Sequence, residues 1–371
     1  MNIRFRAGAL ILSLALFLGA CAGGTPETVA ATAAPETQPP VTEAFAAEQT
    51  QPSETQPSET QPSETQPPEP ERFVLTFAGD CTLGGSASTE YAPQGFFKTI
   101  GEDYGYPFRG VLDYFSGDDL TLVNLEGPLC PRGSYAVKKH VFRGPPEYVN
   151  ILTQNSVEAV TIANNHSMDY LAKGYEATKE NLEAAGVSYV EQDNTCLVTT
   201  ASGLKVGLYG MVYYCLDVEK MTAGIEALRQ EGAEIIVVLP HWGGEYTYHP
   251  TQQQKDVGHA AIDAGADLVI GSHPHVLQDR EDYGGGVIFY SLGNFSFGGN
   301  SNPRDFDSVV VQQEVIREPD GEVHLGQTTV IPVCISSITG RNDFQPTPYA
   351  PDDPGYERTL AKLDGDWPWS R

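Results

Sequence analysis

Seven polar residues stand where apolar runs end. Asp80 follows the run 73–78, Glu126 follows 120–125, and Asn165 and His166 follow 158–163. His241 follows 235–239, and His273 and His275 follow 267–270. Carboxylates, an amide carbonyl and imidazoles make a mixed oxygen and nitrogen donor set. Such a set suits Mn, Fe or Zn better than Ca or Mg. None of these signals is specific alone. Each has a lesser structural alternative: Asp80 as a cap, Glu126 and Asn165 as acceptors for loop amides, and His241 as a hydrogen-bonded core histidine. Their shared placement, each just past a strand, is what makes them a set. Asn124 and Arg143 are candidate substrate contacts. The Arg143 guanidinium suits a bidentate grip on an anion, and a structural ion pair is the alternative.

The elements that position these residues alternate. Strands are predicted at 73–78, 120–125, 158–163, 205–212, 235–239 and 267–270, with 196–199 facing 205–212 across a turn at Ser202-Gly203. Later strands at 287–290 and 308–316 read as antiparallel. Helices are predicted at about 170–185, closed by Gly186, and at 219–230 and 252–264. Short apolar strands alternating with helices imply a central sheet covered by helices, an α/β fold. In such sheets sites gather at the carboxyl ends of strands. Five strand ends bearing donors therefore converge on one cleft.

The chain begins with Arg4 and Arg6 and an apolar run from Ala7 to Leu18, too short for a comfortable membrane span. It reads as a secretory signal over 1–20, ending in Leu18-Gly19-Ala20-Cys21. That tetrad resembles the bacterial lipobox and implies a lipid anchor on Cys21 at the extracellular face of the cell membrane. Residues 21–72 read as a disordered tether. The pentad Thr-Gln-Pro-Ser-Glu starts at Thr50, Thr55 and Thr60, and such a composition buries no core. Residues 73–371 are long enough for one domain with a large core. The net charge of −27 is acidic throughout and disfavours nucleic-acid binding. With Cys21 set aside, five cysteines remain, in no metal-ligand spacing and with no disulfide framework.

Several segments together carry a family resemblance: Gly79-Asp80, Asn124-Leu125-Glu126, Phe142-Arg143-Gly144-Pro145-Pro146, Ala163-Asn164-Asn165-His166 with Asp169, Pro240-His241-Trp242-Gly243 with Glu245-Tyr246, the run 265–276 around His273-Pro274-His275, and 290–295. In this order they resemble the bacterial capsule-synthesis CapA family, linked to poly-γ-glutamate synthesis and export, from residue 73 to about 300. That family resembles the calcineurin-like metallophosphoesterases, a four-layer α/β/β/α sandwich with a two-metal site.

The resemblance implies roles. Asp80 corresponds to the first-motif aspartate and Glu126 to the carboxylate bridging two metals. Asn165, His241 and His273 serve the second metal and His275 the first. His166 is the acid that protonates the leaving oxygen. The phosphoesterase first motif is Asp-x-His, whereas this chain has Asp80-Cys81-Thr82, so the first metal's set is thin and Glu245 is the candidate substitute. The implied activity is metal-dependent hydrolysis of a phosphoester, or of an amide in an anionic polymer, alongside a capsule synthase complex. The rival expectation is a non-catalytic accessory protein that binds the polymer.

Overall fold

The computed structural model describes residues 68–367. The segments expected to be a signal, an anchor at Cys21 and nearly all of a tether lie outside them. The described strands are β1 (Glu71–Cys81), β2 (Gly85–Ser86), β3 (Leu120–Leu125), β4 (Phe142–Arg143), β5 (Ala159–Thr161), β6 (Ser188–Val190), β7 (Thr195–Thr199), β8 (Lys205–Val212), β9 (Ile235–His241), β10 (Leu268–Ile270), β11 (Arg280–Tyr283), β12 (Gly286–Phe289), β13 (Asp307–Arg317), β14 (Val323–Cys334) and β15 (Thr347–Pro348). The helices are α1 (Phe96–Ile100), α2 (Leu112–Phe115), α3 (Val149–Thr153), α4 (Leu171–Ala185), α5 (Val218–Gln230), α6 (Gln252–Asp263) and α7 (Pro354–Leu363).

Two mixed sheets result. One has the order β15-β14-β13-β1-β3-β5-β6, the other β11-β12-β10-β9-β8-β7. Alternation along each strand sorts side chains into three layers of core. Leu75, Phe77, Leu120 and Leu122 of the first sheet meet Val206, Leu208, Val237 and Leu239 of the second. The opposite parity of the first sheet, with Val123 and Leu125, packs under Phe115, Ile151, Leu152 and Leu182 from α2 to α4. The opposite parity of the second, with Tyr209, Ile236 and Val238, packs under Met221, Ile225, Leu228 and Ala261 from α5 and α6. Helix, sheet, sheet and helix are thus stacked, the four-layer α/β sandwich expected. Burial on both faces explains the continuous apolar runs that the sequence shows.

The folded part starts earlier than residue 73. Glu71 and Arg72 belong to β1, pairing with Arg317 and Ile316, and Arg317 Nη1 donates to Glu71 at 2.6 Å. The sequence places these two charges in the tether, whereas the structure puts them in β1. They open a central strand whose neighbour β13 carries the matching charges, Arg317 and Glu314. All five described cysteines are free thiols.

Candidate metal centre

Parity decides which strand-end residues face the seam between the sheets. On β3, Leu120 and Leu122 point into the seam, and Asn124 continues that face into the site. On β9, Ile235, Val237 and Leu239 point into it, and His241 is next in step. On β1 simple alternation after Leu75 and Phe77 would send Asp80 to the helix side. The register shifts between Ala78 and Asp80, so that Ala78 pairs with Val123 and Asp80 with Asn124. This bulge at Gly79 re-aims the carboxylate, a common use of bulges beside sites. A Cβ at Gly79 would lie 2.1 Å from the Gly293 carbonyl oxygen, so only glycine fits.

The second sheet supplies its histidines from the turn after β10. His273 and His275 have φ of 98° and 58°, values that non-glycine residues rarely adopt. Each costs on the order of 1–3 kcal/mol. The strain turns both rings toward Asp80 and Glu126. Asp80 Oδ2 lies 3.4 Å from the His273 amide, which donates to it, and 3.0 Å from His275 Nδ1, a close ion pair not aligned as a hydrogen bond.

Glu126 is the centre of the cluster. Its Oε1 lies 3.7 Å from His241 Nε2, 3.7 Å from His275 Nε2 and 3.9 Å from His166 Nε2. Both of its carboxyl oxygens are buried without a hydrogen-bond partner, as is His273 Nδ1. Two sets of donors lie within 4.8 Å of one another, Asp80–Glu126–His275 and Glu126–His241–His273, and Glu126 is common to both. Asn165 joins the second set, its Oδ1 standing 2.9 Å from His241 Nε2. Buried carboxylate oxygens with no donor, opposite imidazole nitrogens with no partner, are groups that divalent cations would satisfy. The residues therefore fit a metal pair.

The electrostatics of His241 and His273 agree with ligand roles. Burial pushes the Glu126 carboxyl well above its ordinary range, against the pull of His275. Burial also holds His241 well below the usual histidine range and lowers His273 to about 4, leaving both neutral as a ligand must be. Burial would lower His275 too, but Glu126 and Asp80 outweigh it and raise it to about 9. Ser272 Oγ, 3.0 Å from His241 Nδ1, fixes that ring with Nε2 toward Glu126, as supporting groups around metal ligands do.

His166 stands at the edge of the cluster. Its Nδ1 lies 2.7 Å from Asp169 Oδ2, and the Lys138 ammonium bridges Asp169 and the Asn165 carbonyl oxygen, the latter at 2.8 Å. Burial lowers the His166 pKa, with Asp169 opposing. Its ring lines a cleft of about 280 Å³ with His140, Phe142, Glu245, Tyr246, His275 and Phe297. A larger cavity of about 640 Å³, between residues 130–134 and α4, holds none of the cluster.

Two expected substrate contacts are placed elsewhere. Asn124 is buried beneath the cluster, where its Nδ2 donates to Asp80 Oδ1 at 2.8 Å and its Oδ1 accepts from Asn164 at 3.1 Å. It positions Asp80. Arg143 is buried outside the cleft, donating to the Cys130 carbonyl and to Glu90, each at 2.9 Å. Its fork is used inside the protein. Thr82, at the position of the missing motif histidine, is buried and donates to the Glu126 carbonyl at 2.8 Å. Lys138, His140, Ser272 and Tyr213, which stacks on His273 at 4.9 Å, are site residues that the sequence reading did not single out. Asp169, named with His166 among the segments that carry the family resemblance, is the residue that holds His166 Nδ1.

Comparison with known proteins settles the family. The family described as bacterial capsule synthesis protein PGA_cap matches residues 74–299. This chain belongs to that capsule-synthesis family. Among its relatives is the PGA biosynthesis protein CapA of Bacillus subtilis (strain 168), 30% identical over 287 residues, covering 71% of this chain and 72% of that one. The capsule biosynthesis protein CapA of Bacillus anthracis is 29% identical over 280 residues, covering 66% and 64%. Solved structures with a similar chain course include the NAD nucleotidase of Haemophilus influenzae, at 12% identity and TM-score 0.42, covering 80% of this PGA_cap chain and 63% of that one. The sulfate thiohydrolase SoxB of Thermus thermophilus has 14% identity and TM-score 0.40, covering 79% and 60%. The PGA_cap match spans β1 to the loop after β12 and takes in the whole donor cluster.

Proposed function

We propose that this chain is a divalent-metal hydrolase of the outer cell surface, tethered by a lipid on Cys21. Its reaction is cleavage of a phosphoester, or of an amide in an anionic polymer, during poly-γ-glutamate capsule synthesis, next to a capsule synthase complex. The observation that carries this is Glu126: a fully buried carboxylate with no hydrogen-bond partner, shared by two sets of donors. A structural carboxylate is bonded to donors, and one held bare between four histidines is built for cations. Asp80, Glu126 and His275 would hold one metal, and Glu126, Asn165, His241 and His273 the other. The donor set favours Mn, Fe or Zn. When bound, such a pair supplies Lewis-acid polarisation of a phosphoryl or carbonyl oxygen.

The chain's own residues do the rest. Asp169 holds His166 by Nδ1, so that Nε2 faces the cleft, where it would deliver a proton to the leaving oxygen. Phe142 and Phe297 exclude water from one wall of the cleft. The capsule substrate class comes from the printed names of the relatives. One of them, in Mycobacterium tuberculosis, is named "Probable polyglutamine synthesis accessory protein", 26% identical over 226 residues. That name and the thin first set, with Thr82 in place of a histidine, favour the second reading, a polymer-binding accessory protein. The test is metal analysis of the purified protein, followed by hydrolysis of bis(p-nitrophenyl) phosphate and size analysis of poly-γ-glutamate with added Mn. Stoichiometric metal with turnover of either substrate supports the hydrolase. Absence of both metal and turnover leaves the accessory reading.

A further inference from the structure

Pairing of arginines in this chain has a telling exception at the cleft. Ten arginines lie among the described residues, and eight of them pair with a carboxylate. With 49 acidic residues against 22 basic ones, pairing is the expected fate of a guanidinium. Arg341 and Arg304 make no ion pair among the described residues, and of the two Arg304 is the one that lies against a residue of the cleft. It is exposed and lies over Tyr246, with Cζ 5.0 Å from the ring centroid. The Tyr246 ring lines the cleft beside Glu245 and Asn300 and stands 6.5 Å from the His275 ring. The Tyr246 ring is thus a common neighbour of Arg304 and His275.

The isolation of Arg304 is built into the fold. Its sequence neighbour Asp305 is taken: both Asp305 oxygens accept from Lys362 Nζ, at 2.8 and 2.7 Å. Lys362, buried on α7, also donates to Asp307 at 2.7 Å, and Arg358 closes the same group. The buried cluster fixes the backbone on the carboxyl side of Arg304 and removes the carboxylate that would otherwise neutralise it. A guanidinium lying on an aromatic face keeps its edge donors free, and that fork matches a carboxylate bidentately.

We propose that Arg304, presented on Tyr246, binds a pendant carboxylate of an anionic polymer lying in the cleft, and so sets which stretch of the chain reaches Glu126 and His166. The assignment rests on the hydrolase reading of the same cleft. Arg304 is a specificity residue; it touches none of the metal-holding donors.

The experiment is calorimetric titration of the Mn-loaded protein with two probes, a pentamer of γ-linked glutamate and inorganic phosphate. Arg304→Gln is expected to weaken pentamer binding about tenfold, the scale of one exposed charge-assisted fork. Arg304→Lys, which keeps the charge but not the fork, should fall between the two. Phosphate affinity and metal content should stay at wild-type values in both. Lys205→Gln, an exposed charge at the amino end of β8 and so at the far end of the strands from the site, controls for net charge and should change nothing. Arg304→Gln binding the pentamer as tightly as wild type overturns the proposal. So does an equal loss in Lys205→Gln, a parallel loss of phosphate affinity, or a wild-type protein that binds phosphate but not the pentamer. Each of these outcomes leaves the metal content, and with it the hydrolase reading, standing. Loss of that reading would show instead as wild-type protein that retains no Mn.

Discussion

Glu126→Gln should reverse the order of stability of two proteins depending on whether metal is present. Both Glu126 oxygens are buried and unpartnered, and burial pushes the carboxyl upward. A buried polar group without a partner costs about 1–3 kcal/mol, and more when charged. Glutamine keeps the shape and loses the charge, while His275 retains Asp80 at 3.0 Å. In EDTA the variant should therefore match wild type or exceed it by up to about 3 kcal/mol. At roughly 2–4 °C per kcal/mol for a chain of this size, that is a rise of several degrees. With Mn at a hundred times Kd, wild type gains about 2.7 kcal/mol by mass action. Both donor sets lose their shared member in the variant, so nearly all of that gain should vanish. The pH dependence has a definite sign. A carboxyl raised in the folded state contributes most below its unfolded pKa of about 4.3, and that contribution is lost as pH rises through the folded value. In EDTA the advantage of the variant should widen with rising pH. Calorimetric melts in EDTA and in Mn, at several pH values, measure all of this. A variant less stable than wild type in EDTA by more than about 1 kcal/mol, or one with a full Mn shift, would refute the reasoning.

Three further expectations each have their own measurement. His241→Ala and His273→Ala should each lower bound metal and the Mn-dependent melting shift, whereas His166→Ala should keep metal content and cost any hydrolysis on the order of a hundredfold, read by elemental analysis beside an assay. Lys362→Met strips a buried carboxylate pair of its ammonium and should destabilise by about 3–5 kcal/mol in urea unfolding; burial would raise Asp307, but Arg358 and Lys362 hold it below its ordinary range, so its stabilisation is full above about pH 4 and lost as pH falls further. Mass spectrometry of the mature protein should find diacylated Cys21 at its amino terminus; a free terminus at another residue would remove the anchor.

The donor residues were legible because each terminates a run whose apolar character could be read, and strand ends are where α/β sheets place their sites. What the runs could not show is direction. Alternation from Leu75 and Phe77 puts Asp80 on the wrong face, and only the bulge at Gly79 corrects it. The same parity sends Asn124 inward, so it supports Asp80 and is not exposed to a ligand. For Arg143 the structural ion pair, one of its two readings, is what the fold contains, and its partners, Glu90 and the Cys130 carbonyl, are invisible in sequence because they are distant or belong to the backbone. Lys138 reaches the site from a loop without periodicity, so nothing in its neighbourhood marks it. β14 escaped notice for a different reason. It carries Gly326 and Pro332 and alternates between half-buried and exposed residues, because β15 covers it only at Val333 and Cys334. An edge strand of that kind has no apolar stripe to read.

The contact between Gly79 and Gly293 bears on how this site could change over evolutionary time. The Asp80 amide donates to the Gly293 carbonyl at 2.9 Å, and a Cβ at Gly79 would come within 2.1 Å of that oxygen. No side chain enters there, so mutation cannot pry the floor of the cleft apart by small steps. The walls have no such limit. Residues 131–140 on one side and 300–302 on the other are loops outside the close contacts of Gly298 and Gly299 and the ion pair of Asp305, and they accept insertions and new side chains at little cost to the sheets. Descendants of such a protein can therefore acquire new substrates by exchanging rims over an unaltered pair of donor sets. Divergence in specificity should accordingly collect in those two loops, with the floor as the inherited part.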